Sequence, residues 1–161
     1  MHSIRLLIVL ALALGGAFSL FSPTAEAAAS APTQAGPMAG VWESPSPNQP
    51  GRAKGLLVDQ GAPAYVLQAV VKRDPNAPLP KGQFHGRLLD PATANSSNPT
   101  VLAHVHGQWI DGPNGPGHFR GVILTPDPTG NGGPVLAGKL EGRFFQPPLG
   151  PGQFQGHYVF L

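Results

Sequence analysis

From Gly40 to the end of the chain, apolar and polar residues alternate with a period of two. Gly82, Phe84, Gly86 and Leu88 fall on one side while Gln83, His85 and Arg87 fall on the other. Ala103, Val105, Gly107 and Trp109 alternate with His104, His106 and Gln108 in the same way. A helix would bring its apolar residues back at helical rather than alternate spacing, so the pattern predicts strands with one packed face and one solvated face. The breaks carry turn residues, as in Asp111-Gly112-Pro113-Asn114-Gly115-Pro116 and Pro126-Asp127-Pro128-Thr129-Gly130. All twenty prolines lie outside the alternating stretches. That is their expected place if those stretches donate backbone N–H groups to ladders.

The alternation sits inside an internal repeat. Gly82-Gln83-Phe84-His85-Gly86 returns as Gly117-His118-Phe119-Arg120-Gly121 and as Gly152-Gln153-Phe154-Gln155-Gly156, each 35 residues after the last. Gly107-Gln108-Trp109 and Gly142-Arg143-Phe144 keep the same spacing, and Gly40-Val41-Trp42 with Gly51-Arg52-Ala53-Lys54-Gly55 forms a degenerate copy. Each unit is expected to be a β-hairpin: 40–43 with 51–58, 65–72 with 82–89, 101–110 with 117–124, and 136–145 with 152–161. A lone hairpin is marginal in water, so the four must share a sheet. The prediction is an all-β antiparallel meander of about eight strands, closed as a small up-and-down β-barrel. An open twisted meander or a β-sandwich is the alternative. Closure removes exposed edges, and small barrels fill their taper by alternating small and large side chains. A ring lying across a neighbouring strand's glycine supplies the packing that glycine lacks. The expected core is Trp42, Leu57, Phe84, Leu88, Val105, Trp109, Phe119, Leu140, Phe144, Phe154, Tyr158 and Phe160.

The region before the repeats has a different character. A short basic start with Arg5, an uncharged stretch from Leu6 to Leu20, and small residues Ala25 and Ala27 predict a signal peptide over residues 1–27. Residues 28–38 are small, polar and proline-bearing and are expected to be a flexible leader, leaving 39–161 as a single domain. The implied location is secreted or periplasmic, with no membrane span after cleavage. The chain has no cysteine, which excludes a disulfide framework and thiolate chemistry, so the core must hold the domain together.

Gly40-Val41-Trp42 at the first strand resembles the G-x-W opening of calycin-type barrels, the lipocalins and avidins. That resemblance implies an eight-stranded binder of small ligands, though no ligand-contacting side chain carries over. The Gly-x-Phe-x-Gly phrase is also similar to the glycine- and aromatic-rich hairpins of MORN repeats, whose period is shorter.

Few residues suggest chemistry. His104 and His106 lie two apart on one strand, with His85 on the same side if its strand is a neighbour, so His85, His104 and His106 form a candidate zinc or copper set. The competing reading is a polar outer face, on which Arg87 would repel a cation. Glu43, Asp59, Asp74, Asp90, Asp111 and Asp127 lie at strand exits or in loops, where an Asp before proline or glycine makes a turn, and Glu141 between Lys139 and Arg143 suggests a surface ion pair. No serine falls in an expected strand and no nucleophile elbow occurs, so no enzymatic activity and no cofactor are expected. The formal charge is only +2 and the basic residues are spread along the chain, which points away from nucleic acid. The expected function is an exported, non-enzymatic binding or interaction module, whose partner would be a small apolar ligand or an envelope protein. The alternatives are a structural envelope protein, a small outer-membrane barrel, or a metal binder built on the three histidines.

Overall fold

A computed structural model describes residues 34–43, 49–112, 115–146 and 151–161. The predicted signal peptide lies outside the described residues, as does most of the predicted leader. The rest forms eight antiparallel strands: β1 (Gln34–Trp42), β2 (Gly51–Asp59), β3 (Ala62–Arg73), β4 (Lys81–Leu89), β5 (Val101–Gly112), β6 (Gly115–Thr125), β7 (Val135–Phe145) and β8 (Gly152–Phe160). Each strand pairs with the next in sequence, and β1 pairs with β8 to close the barrel. The expected up-and-down barrel is therefore the fold, and the open meander and the sandwich are not. No helix among the described residues is long and apolar enough to cross a membrane.

One boundary differs from expectation. Strand β1 begins at Gln34, inside the stretch read as a leader, and pairs along its whole length with β8 from Gln34↔Phe160 to Trp42↔Gly152. Its small residues and Pro37 conceal it in sequence. Gly36 is needed because a Cβ there would run into the Val58 carbonyl and the Tyr158 ring. Three prolines depart from the expectation that all lie outside strands: Pro63 and Pro116 stand second in β3 and β6, and Pro37 lies mid-strand in β1, opposite His157. The ladder slips at Leu57/Val58, at Leu88/Leu89 and at Ile123/Leu124. These are equivalent points of successive units, so the repeat carries its bulge with it and bends the sheet at matching places.

The interior is built from rings seated on glycines. Phe84 on β4 lies over Gly107 and Gly121, Phe119 on β6 over Gly142, and Phe154 on β8 over Gly40 and Gly55. In the opposite sense, Trp42, Trp109 and Phe144 lie against Gly152, Gly82 and Gly117. Edge-to-face contacts tie the rings together, with centroids 4.9 Å apart for Trp42–Phe144 and 5.9 Å for Phe119–Phe154. Ten of the twelve expected core residues are buried, while Phe119 and Phe160 are partly buried and pack against them. Met38, Leu67, Ala69, Val71, Ala103 and Ile123 complete the cluster. The polar atoms of the rings are satisfied: Trp109 Nε1 donates to the Lys72 carbonyl at 3.0 Å, Tyr158 Oη to the Val58 carbonyl at 3.3 Å, and Trp42 Nε1 to the Phe145 carbonyl at 3.4 Å. No buried side-chain N or O among the described residues lacks a partner.

One unit breaks the pattern. The registers Phe84↔Gly107, Phe119↔Gly142 and Phe154↔Gly40 have as their fourth equivalent Ala53↔Ala69 on β2 and β3. Val71, opposite Gly51, stands where the other units place Trp42, Trp109 or Phe144. The missing ring leaves an apolar cavity of about 60 Å³, lined by Ala53, Ala69 and Val71 and by the rings of Phe84, Phe119 and Phe154.

Candidate functional site

Because the rings occupy the interior, chemistry is confined to the outer wall and the rims. The charges are sharply sorted there. Of the ten lysines and arginines, all but Arg5 lie on strands with their side chains exposed. Among the described carboxylates, Glu141 alone is mid-strand, and the rest sit in loops or near strand ends. Asp74, Asp90 and Asp127 are engaged in their own turns. Their Oδ1 atoms accept from the backbone N–H of Asn76 at 3.0 Å, Ala92 at 2.9 Å and Thr129 at 2.9 Å. Thr129 Oγ1 adds a bond to Asp127 Oδ2 at 2.7 Å, and these two hydrogen bonds hold the Asp127 carboxyl below the usual carboxylate range.

On β2 to β5 the register assembles two neighbouring outward rows. One runs Lys54, Gln68, Arg87, His104 and the other Arg52, Val70, His85, His106, continuing through Val122 to Lys139. Arg52, Lys54, His85, Arg87, His104 and His106 are exposed; from β2 to β5 neither row holds a carboxylate, and the exposed Glu43 adjoins the Arg52 end, its backbone N–H donating to the Arg52 carbonyl at 2.7 Å. Strands in a sheet lie about 4.8 Å apart, so the first row is a short file of donors and cations at that spacing, while Val70 interrupts the second.

The three candidate histidines thus share one surface without converging on a point. His85 is directly opposite His106, their rings stacked with centroids 6.4 Å apart. His104 is opposite Arg87, one row away. No group of three His, Asp or Glu side chains among the described residues is arranged to hold a metal ion. A stacked pair beside two guanidinium groups is chemically an anion-facing surface rather than a cation cage.

Arg87 stands on this surface beside His85, as the alternation in its strand implies, and Arg52 and Lys54, which the sequence pattern does not gather with the histidines, join it there. Arg52 and Lys54, two apart on β2, reach Arg87 and the histidines only through the β2–β3–β4 register. Glu141 likewise pairs across strands rather than along its own: its Oε1 is 3.1 Å from His157 Nε2, both groups being well exposed, and the expected Lys139 and Arg143 partners are not the contact. Such an exposed pair contributes little to stability.

The rim formed by the start of β1 and the end of β2 carries a smaller polar group. Tyr65 Oη donates to Gln34 Oε1 at 2.8 Å, and Gln34 Nε2 donates to Asp59 Oδ2 at 3.1 Å. Burial, and then the charge of Asp59, push the hydroxyls of Tyr65 and Tyr158 above the ordinary tyrosine range. The β2–β3 turn beside it has positive φ at Gln60 (48°) and Gly61 (84°), the pair of left-handed residues a tight two-residue hairpin needs. Tyr65, Tyr158 and Phe160 stack together here, with Tyr65–Phe160 centroids 5.3 Å apart, so this group closes the barrel end as a plug.

Searched against protein-family models, curated proteins and solved structures, the chain matches none. The G-x-W opening has an internal explanation. Gly40 and Trp42 occupy the positions that Gly107 and Trp109, and Gly142 and Phe144, occupy in their own units.

Proposed function

We propose that this protein is an exported, non-enzymatic binding module that works through the outside of its barrel and not through the interior. The observation that carries this reading is the contrast between an inside filled by rings and an outside where the cations are gathered and the carboxylates withdrawn. A barrel that binds a drug-sized ligand internally needs a cavity of roughly 300 Å³ or more. The interior cavity here is about 60 Å³. A membrane-spanning barrel needs an apolar outer band, and the lysines and arginines stand where that band would be.

Charge reversal on the wall tests the reading. The variant Arg52→Glu/Lys54→Glu/Arg87→Glu should abolish retention of the purified protein on a cation-exchange or heparin matrix at moderate salt. Filling the interior with Ala53→Phe/Ala69→Gly should leave retention unchanged. Retention that follows the interior change instead would sink the proposal.

The filled interior also favours a second reading, a structural envelope protein whose wall packs against a partner. A stable, stoichiometric partner recovered from envelope fractions, and lost on the same wall reversal, would favour it over reversible binding.

A further inference from the structure

We infer that the gap beside β2 and β3 is a binding site for a single small apolar molecule, larger than water and smaller than benzene, of the class of the nonpolar gases. The inference goes beyond the outer-wall reading and is independent of it, since that reading sets aside only a drug-sized ligand in the interior.

The site follows from two vacancies that adjoin. Trp42, Val71, Trp109 and Phe144 hold equivalent inward positions on β1, β3, β5 and β7, each opposite a glycine of the neighbouring strand: Gly152, Gly51, Gly82 and Gly117. Ala53, Phe84, Phe119 and Phe154 hold the next set, on β2, β4, β6 and β8. The short members, Val71 and Ala53, fall on adjoining strands, so the space each leaves merges with the other into the one cavity. Tyr65, Tyr158 and Phe160 plug the opposite end of the barrel, so the way in passes Val71.

Exposure shows that the space is open to a small probe. Leu57, Leu88, Val105 and Ile123, nearer the plugged end, have 0% of their surface accessible. Ala69 and Phe84 keep 8% and Val71 and Phe154 keep 7%, and these four line the cavity.

Chemistry and size together select the occupant. Every lining side chain is apolar, and the two that carry a nitrogen have spent it: Trp42 Nε1 donates to the Phe145 carbonyl and Trp109 Nε1 to the Lys72 carbonyl. Water needs two or more polar partners and finds none, so a site of this kind stays dry. A cavity of roughly 150 Å³ admits benzene. This one, at about 60 Å³, is too small for a ring. Size and polarity leave a nonpolar species of about one to three heavy atoms, such as dioxygen or a short hydrocarbon. Its contacts return the dispersion attraction that side chains forfeit when they face a void. So few atoms bind weakly, with a dissociation constant of about a millimolar or above.

The test follows methyl resonances of the purified protein by NMR under increasing xenon pressure, and separately with benzene. Xenon should shift the methyls of Ala53, Ala69 and Val71 saturably, and benzene should leave them unmoved. Two variants fill the space by different routes. Ala53→Phe/Ala69→Gly places a ring inside it, and Val71→Phe sets one opposite Gly51 across the way in; each should abolish the xenon shifts. Val71→Ala, which enlarges the space, should tighten xenon several-fold and admit benzene. Shifts that do not saturate, that appear instead at the exposed Leu102 and Leu136, or that persist in a folded filled variant would overturn the assignment. Saturable binding of benzene at the same methyls of the parent protein would overturn the size limit and the ligand class with it. The location of the shifts in the parent decides the matter even where a filled variant fails to fold. None of these outcomes bears on the outer-wall reading, which charge reversal tests separately.

Discussion

The strongest consequence of the packing concerns the unit that lacks its ring. If Phe84, Phe119 and Phe154 are equivalent, then Ala53→Phe together with Ala69→Gly rewrites the β2–β3 unit in the pattern of the other three. The introduced ring would lie over position 69 and Gly86, as Phe84 lies over Gly107 and Gly121. Filling the cavity of about 60 Å³ at about 24 cal/mol per Å³ is worth at most about 1.4 kcal/mol. For a domain of this size that raises the melting temperature by about 4–6 °C. The single changes should act in the opposite direction. Ala53→Phe alone drives a ring onto the Ala69 methyl directly across the ladder and should cost about 1–3 kcal/mol. Ala69→Gly alone deletes a buried methyl and loosens the strand, costing about 1–2 kcal/mol. The pair should therefore be coupled by about 3–6 kcal/mol, a value read directly from a double-mutant cycle by urea unfolding with unchanged m. If the double variant is no more stable than the better single variant, the rings are not equivalent and the repeat does not govern the core.

Other consequences follow from the same geometry. Gly107→Ala places a Cβ against both the Phe84 ring and the backbone carbonyl of Arg120, neither free to retreat; it should lower stability by about 2–4 kcal/mol in denaturant titration. Phe154→Ala should cost about 3–5 kcal/mol and uncover Gly40 and Gly55, whereas Phe145→Ala, whose ring is exposed, should change stability by less than about 0.5 kcal/mol. The hydroxyls of Tyr65 and Tyr158 are raised above their unfolded value near 10, so the stabilisation belongs to their neutral forms. It is complete below that pH and is lost as pH climbs through the raised range, so Tyr65→Phe/Tyr158→Phe should unfold less readily than the parent in an alkaline titration. Equilibrium dialysis with zinc should show no tight site, because His104 is held apart from the His85–His106 pair; tight binding abolished by His85→Ala would refute this.

How far the fold was legible follows from the nature of each signal. Strand faces could be read because burial of one face imposes alternation on every strand, and Phe84, Phe119 and Phe154 announce it with the same phrase three times. Units of this kind share one local geometry, so even the bulge recurs in register. The start of β1 was not legible, since Gln34 to Met38 contains only one large apolar side chain and is a strand because β8 lies open beside it. The three histidines and Arg87 were legible as a same-side set, whereas the approach of Arg52 and Lys54 to them was not, because it depends on the register of β2 against β3 and β4.

By itself the sequence determined the period, the strand faces and the pairing of rings with glycines, all of which depend on interactions between near neighbours or identical units. Tertiary structure decided the closure of β1 on β8, the size of the interior left by Ala53 and Ala69, and the grouping of cations on the wall. These depend on which residues of different strands stand side by side. Register is a property of the assembled sheet, and a slip of one residue would turn Arg52, Arg87 and His106 inward and the rings out to water.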